Sequence, residues 1–178
     1  MVYGAILEGE SEKGYTYLLE IFKIMNHFQK NYNWLISDCE IGATKKRHYE
    51  RLFQSGNHAW ITGTELTGIL KKENFQWIWG VLSGFQKQYT HEDVLRYPLP
   101  WADGNPNLWK ENIEIQHPLA EVEIVAWDST CTLFLTKEID LYIDFRKVFP
   151  KSKDLRIYNN DEEINESREY EHWLKSRD

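Results

Sequence analysis

Cysteine is scarce in this chain of 178 residues: there are two, Cys39 and Cys131, far apart in sequence. No Cys-x-x-Cys pair exists, which excludes zinc-ribbon and thioredoxin-type sites. Both cysteines lie in apolar, strand-like runs and read as buried free thiols of a reducing compartment, with a bridge between them left open. Long apolar runs are missing as well. No stretch approaches the about 20 residues of a membrane span, and no basic segment precedes the first apolar run as a secretory leader requires. The chain is therefore read as cytoplasmic and not membrane-bound. Positive charge is in deficit: 21 Lys and Arg stand against 28 Asp and Glu, a net charge of −7. That argues against binding nucleic acid or an anionic membrane, which needs a basic surface. The one basic cluster, Lys45-Lys46-Arg47, reads as a solvated helix start running on to about Phe53.

The usual glycine motifs are also absent. There is no dinucleotide fingerprint and no Gly-x-Ser-x-Gly elbow. Gly80-Val81-Leu82-Ser83-Gly84 lacks the Gly-Lys-Ser/Thr ending of a phosphate loop and reads as a strand end with a turn at Gly84. The six histidines are His27, His48, His58, His91, His117 and His172, and none forms a His-Glu-x-x-His or His-x-His motif. No cofactor and no metal is implied.

Aromatic residues are plentiful, at 15% with eight tryptophans, enough for a large core and for binding anchors as well. Apolar periodicity predicts a strand over 2–7, a helix over 15–30, a strand over 34–41 and a short strand over 59–61. Thr62 and Glu65 have capping-box spacing before a helix carrying Leu66, Ile69 and Leu70. A central strand is predicted over 75–82, with Phe75, Trp77, Trp79 and Val81 on one face and Ile78 and Leu82 on the other. Residues 86–111 lose regular patterning, with one helical turn possible at Thr90-His91-Glu92-Asp93. Ile113, Ile115 and His117 alternate as on a strand. Residues 121–127 and 131–136 read as an antiparallel hairpin turning at Asp128-Ser129-Thr130. Thr136 can cap a helix over 137–149 that buries Leu141, Phe145 and Val148, and a last strand is expected over 155–158. The expected fold is α+β: one domain over 1–159, a central mixed sheet flanked by helices, then an acidic extension over 160–178, a marginal helix or a frayed tail.

Two sets of residues are candidates for function. A long loop inside a compact domain is often functional. The partner-binding set on and beside it is Trp101, Asp103, Trp109, Glu111 and Glu114, aromatic anchors among acids. The catalytic alternative is a small hydrolase-like site across the hairpin: Glu121 and Glu123, two apart on a strand, with Asp128 and His117. The blander expectation is that Glu121 and Glu123 line the solvent face of the hairpin, that His117 is a hydrogen-bonded core residue, and that both tryptophans fold back over the sheet. A homo-oligomer burying the surplus tryptophans is a third possibility.

Three segments carry a family resemblance: Gln76-Trp77-Ile78-Trp79-Gly80-Val81-Leu82-Ser83-Gly84-Phe85, Pro98-Leu99-Pro100-Trp101-Ala102-Asp103-Gly104-Asn105 and Gln116-His117-Pro118-Leu119-Ala120-Glu121-Val122-Glu123-Ile124-Val125-Ala126-Trp127-Asp128. They resemble an uncharacterised family of cytoplasmic proteins from Bacillus and its relatives, over the chain to about Asn159. That family in turn resembles the small acidic α+β immunity proteins that accompany secreted bacterial toxins. The resemblance implies an immunity-type protein that binds a toxin, and it carries no functional residues across. The acidic charge, with many aromatics and no catalytic signature, implies that the partner is basic.

Overall fold

The computed structural model describes residues 1–8, 16–42, 56–161 and 164. The expected helix start at Tyr15, the Lys45-Lys46-Arg47 segment and nearly all of the acidic extension lie outside the described residues. The fold is a single α+β domain on a seven-stranded sheet. Its strands are β1 (Tyr3–Glu8), β2 (Tyr32–Gly42), β3 (His58–Thr62), β4 (Gln76–Gln86), β5 (Val122–Trp127), β6 (Cys131–Thr136) and β7 (Lys153–Asp154). They lie in the order β3-β2-β4-β5-β6-β1-β7. Every pairing is antiparallel, so the sheet is uniform rather than mixed.

Each face of the sheet has its own core. Trp34, Ile36, Trp77, Leu82, Ile124 and Phe134 point to the face covered by three helices. These are α1 (Leu18–Ile24), α2 (Gly63–Lys72) and α4 (Ile139–Val148). Phe134 stacks on Phe145 of α4, with ring centroids 4.3 Å apart and planes at 6°. The opposite core holds Leu35, Val81, Phe85, Val125, Leu133 and Leu135. Chain with little regular structure roofs it. Val94 ends the single turn α3 (His91–Val94), and Ala102, Leu108, Ile113 and Ile115 follow. The short helix α5 (Leu155–Asn159) closes that side through Leu155.

Local chemistry explains the boundaries. Thr62 and Glu65 form the expected capping box of α2, with the Thr62 hydroxyl accepting from Glu65 N–H and the Glu65 carboxylate accepting from Thr62 N–H. Thr90 and Asp93 repeat the device on α3. The first helix is much shorter than periodicity predicts. Asn26 and His27 adopt left-handed backbone, with φ of 53° and 58°, and end it, and a 3-10 turn (Phe28–Asn31) completes the segment. The expected strand over 155–158 is instead helix α5. The Asp154 carboxylate accepts from the N–H groups of Arg156 and Ile157 and so starts a helix there. Ile113, Ile115 and His117 are buried in alternation as expected, but they pair with no strand.

The largest departure is a β-bulge between β2 and β4, where the register shifts between Ser37 and Glu40. Asp38 has φ of 47° at this point. A second shift follows between Glu40 and Ile41, where the extra residue is on β4, so the two-residue alternation is interrupted on both strands. Leu35 faces the loop-covered core, whereas Cys39 and Ile41 pack on the helix side. On β4, Trp77 faces the helices while Trp79 and Val81 face the loop. The single-faced stripe expected from Phe75 to Val81 is therefore split. Gly84 is not a turn, since β4 runs on to Gln86. A Cβ at Gly84 would lie 2.5 Å from Val122 Cγ1 and 3.2 Å from the Trp34 ring, so glycine is what lets these strands and that ring close together. Gly84→Ala is expected to lower stability by about 1–3 kcal/mol through overpacking. Urea unfolding checks this, and an unchanged midpoint would show that the Trp34 side relaxes freely.

Candidate functional site

The partner-binding candidates lie along the roof of the second core. Ser37 and Asp38, consecutive in sequence, both turn toward it because the bulge lies between them and the strand beyond. Ser37 Oγ donates to the Pro100 carbonyl at 2.6 Å. The Asp38 carboxylate accepts from the N–H groups of Ala102 at 2.6 Å and Asp103 at 2.9 Å. Aspartate tolerates the left-handed backbone that aims it there better than most residues. From the other side, Gln116 Oε1 accepts from Trp101 N–H and from Asn105 Nδ2, each at 3.0 Å. Asn105 is buried, and its amide also donates to the Trp101 carbonyl. Residues 100–105 are thus held at both ends by side chains of the sheet and of residue 116.

The ring on this held segment is not buried. Trp101 is 43% exposed, and Leu95 and Tyr97 are 43% and 39% exposed. Three large apolar groups therefore stand in solvent within seven residues of chain. Beside Trp101 opens a cleft of about 340 Å³. Trp101, Pro98 and Pro100 line it together with Asn105, Asn107, Lys110, Glu114 and Gln116. Its polar groups are mostly amides, with one cation and one anion.

The five candidates separate on this geometry. Trp101 and Glu114 meet at the cleft. Asp103 and Glu111 are exposed on the same roof but do not line it. Trp109 turns inward. It lies edge-on to Trp127, with centroids 4.8 Å apart at 86°, and its ring lies 6.4 Å from Tyr158. It is half-buried against the second core and supports the roof. Leu95, Tyr97, Ser37, Asp38 and Gln116 were not anticipated. The two Asp38 bonds depend on a bulge that alternation cannot reveal.

The hairpin carboxylates do not form the site expected of an enzyme. Glu123 is not on a solvent face: β5 is an inner strand, and the side chain is completely buried. Ser83 Oγ donates to it at 3.3 Å, and Gln116 donates twice, from its backbone N–H and its Nε2, each at 3.2 Å. Asp128 sits at the far end of the strand in the β5–β6 turn, about 17 Å along the chain from Glu123 at 3.3–3.4 Å per residue. His117 is buried with both ring nitrogens used: Nε2 faces the Val94 carbonyl at 3.1 Å, and Nδ1 accepts from Leu119 N–H at 3.2 Å. Burial lowers its pKa, which suits a neutral structural imidazole. Glu123, Asp128 and His117 do not converge, and the Glu121 charge acts instead on the Tyr32 hydroxyl, in the helix-side core. Glu123 lies behind the cleft wall, where it positions Gln116, and Gln116 in turn holds Trp101. The two cysteines are free thiols, and burial raises the pKa of Cys39. Among the described residues, no three or more His, Cys, Asp or Glu side chains gather as a metal site, and no helix is long and apolar enough to cross a membrane.

The fold and roof define a single-domain α+β protein with a rigidly held, aromatic-bearing loop. Residues 7–98, just over half of the chain, match the family described as "Protein of unknown function (DUF2691)", and the chain belongs to that family. No curated protein and no solved structure matches it. The match includes the bulge and β4, whereas the residues that line the cleft fall at its end or beyond it.

Two outcomes follow from this geometry. Burial pushes the Glu123 carboxyl from the 4.5 of a free glutamate up to about 7, against the pull of its hydrogen bonds. Above the first value the unfolded chain releases this proton, while the folded chain keeps it until the second. Wild-type stability therefore falls between them as pH rises, by about 3 kcal/mol, and the loss is complete above about pH 7. Glu123→Gln lacks this dependence, so its stability relative to wild type rises from about pH 5 to about pH 8. Urea unfolding at both pH values checks this, and a constant difference would refute it. Asp38→Ala frees two N–H groups, so amide exchange at Ala102 and Asp103 should quicken by about tenfold or more, the equivalent of one charge-assisted bond. Protection unchanged at both amides would mean that Ser37 and Gln116 suffice.

Proposed function

We propose that this chain is a cytoplasmic protein-binding protein that presents Trp101 as an anchor to a basic partner, most concretely an immunity protein that neutralises a cognate bacterial toxin. The observation that carries this reading is the exposure of Trp101 on a segment fixed by the sheet beneath it, with Leu95 and Tyr97 also exposed a few residues earlier in the chain. Exposed aromatic rings on a mobile loop lose entropy when they bind, and rings on a held loop lose little. Clustered large apolar groups in solvent mark interaction surfaces. Glu114 shares the cleft with Trp101, Asp103 and Glu111 are exposed on the same roof, and the whole chain carries −7. A toxin acting on nucleic acid is basic around its site, so such a field steers it in and pairs its Arg and Lys side chains. Trp109 contributes from behind, by supporting the roof.

The test is co-purification of the tagged protein from the lysate and secreted fraction of its own host, at low and high salt, with two variants alongside. A single stoichiometric basic partner is expected. Trp101→Ala should weaken it by about 2 kcal/mol, or about 30-fold, as for a central anchor. Reversing Asp103, Glu111 and Glu114 together should slow association, most strongly at low salt, with little effect on dissociation. A partner bound equally well by both variants would place the interface elsewhere.

A further inference from the structure

Strand β3 begins with His58 and helix α3 with His91, both half-buried at the edge of the sheet. Their Nε2 atoms lie 3.0 Å apart, and their rings are 5.1 Å apart with planes inclined at 56°. The other nitrogen of His58, Nδ1, lies 3.2 Å from Asn57 Oδ1. An amide oxygen there fixes the proton on Nδ1, so the Nε2 lone pair of His58 faces His91. His91 Nε2 then donates to it. The same two nitrogens are the donors that imidazole-preferring transition metals take.

We infer that His58 and His91 form a two-histidine site for a divalent transition-metal ion such as Zn(II), Ni(II) or Cu(II), with water completing the coordination. At metal–nitrogen distances of 2.0–2.1 Å, two nitrogens are about 3.3 Å apart in a tetrahedral site and about 2.9 Å apart as neighbours in a square-planar one. The observed separation lies between these values. Loading needs small ring rotations and no change of net protonation: the Nε2 proton of His91 moves through solvent to its Nδ1, which frees the second lone pair.

Three features prepare the pair. Asn57 is the partner that sets the orientation of a metal-binding imidazole from behind. Trp60 stacks on His91, with centroids 5.7 Å apart and planes at 9°, and itself packs on Phe85 of the core. The Thr90–Asp93 capping box holds the backbone that carries His91. The ion would clamp the edge strand β3 to the turn from which the exposed loop departs.

The experiment is titration of untagged protein with Ni(II), Cu(II) and Zn(II) near pH 7.5, followed by calorimetry, with His58→Gln and His91→Gln alongside. One saturable site is expected, and each substitution should weaken it by about tenfold or more while the double variant loses little beyond either single one. Asn57→Ala should weaken it as well. NMR of the wild-type protein with substoichiometric Cu(II) serves as a second readout that needs no variant. Broadening confined to residues around His58, Trp60 and His91 supports the site. Binding that survives both substitutions, broadening centred elsewhere, or no saturable binding would overturn it.

Discussion

One left-handed residue in a strand governs how this molecule presents its surface. Asp38 interrupts β2 with φ of 47°, and the register against β4 shifts with it. A regular strand would send Ser37 and Asp38 to opposite faces. Here both reach the loop, so one serine hydroxyl and one carboxylate hold three backbone groups of residues 100–103. A second register shift, between Glu40 and Ile41, puts an extra residue on β4 and divides its aromatic residues, sending Trp77 to the helices and Trp79 to the loop. The division supplies ring surface to both cores, and the roof on the second side packs on Trp79 and Trp127 as well as on aliphatic side chains.

Behind the roof, a polar chain runs through an otherwise apolar core. Ser83 and Glu123 lie on adjacent strands, at directly paired positions of β4 and β5. Glu123 takes two hydrogen bonds from Gln116, and the oxygen of the same Gln116 amide accepts from Trp101 and Asn105. Gln116 can do both because its amide has a donor end and an acceptor end. An apolar residue at 123 would leave the donor end unmatched in a buried place, which is costly. The carboxylate is thus explained by the geometry of the loop it supports, and its raised pKa follows from burial at that post. A shifted pKa in a protein of this kind marks a supporting group as readily as a reacting one.

Much of the fold was legible wherever local chemistry decides it. The Thr62–Glu65 box, the Thr90–Asp93 turn and the hairpin at Asp128-Ser129-Thr130 each depend on a few neighbouring residues. Thr136, by contrast, does not cap α4: its hydroxyl accepts from Glu138 N–H, and the helix starts at Ile139 with no side-chain cap at Glu138. The misreadings have a common cause: contacts distant in sequence override local pattern. Gly84 looks like a turn residue, yet it is a strand position crowded by Val122 and Trp34. Glu123 alternates like a solvent-facing strand residue, and it is buried because the roof comes back over β5. Ile113, Ile115 and His117 have strand periodicity because alternate residues face the core, although no neighbour pairs with them. For the candidate site, the sequence marked the 86–111 loop and both of its tryptophans, of which the structure leaves Trp101 exposed. It could not separate Trp101 from Trp109, because what distinguishes them is Trp127, placed edge-on to Trp109 by the hairpin.

The extent of the family match divides the molecule along the same line as the physics. Residues 7–98 contain the bulge, β4 and the histidine pair, the parts that grip the loop or lie against its start. The residues that line the cleft, from Pro98 to Gln116, lie at the end of that stretch or past it. The grip on residues 100–103 from β2 is made to backbone groups: the Pro100 carbonyl and the Ala102 and Asp103 amides. Backbone groups exist whatever side chains the loop carries, apart from a proline at an amide position. Ser37 and Asp38 can therefore hold loops of differing sequence in one conformation, while side chains such as Trp101 and Glu114 set the chemistry of the exposed surface. A scaffold that grips a loop by its main chain lets that loop's side chains change without loosening it, and this is what the proposed binding role would require of residues 100–105.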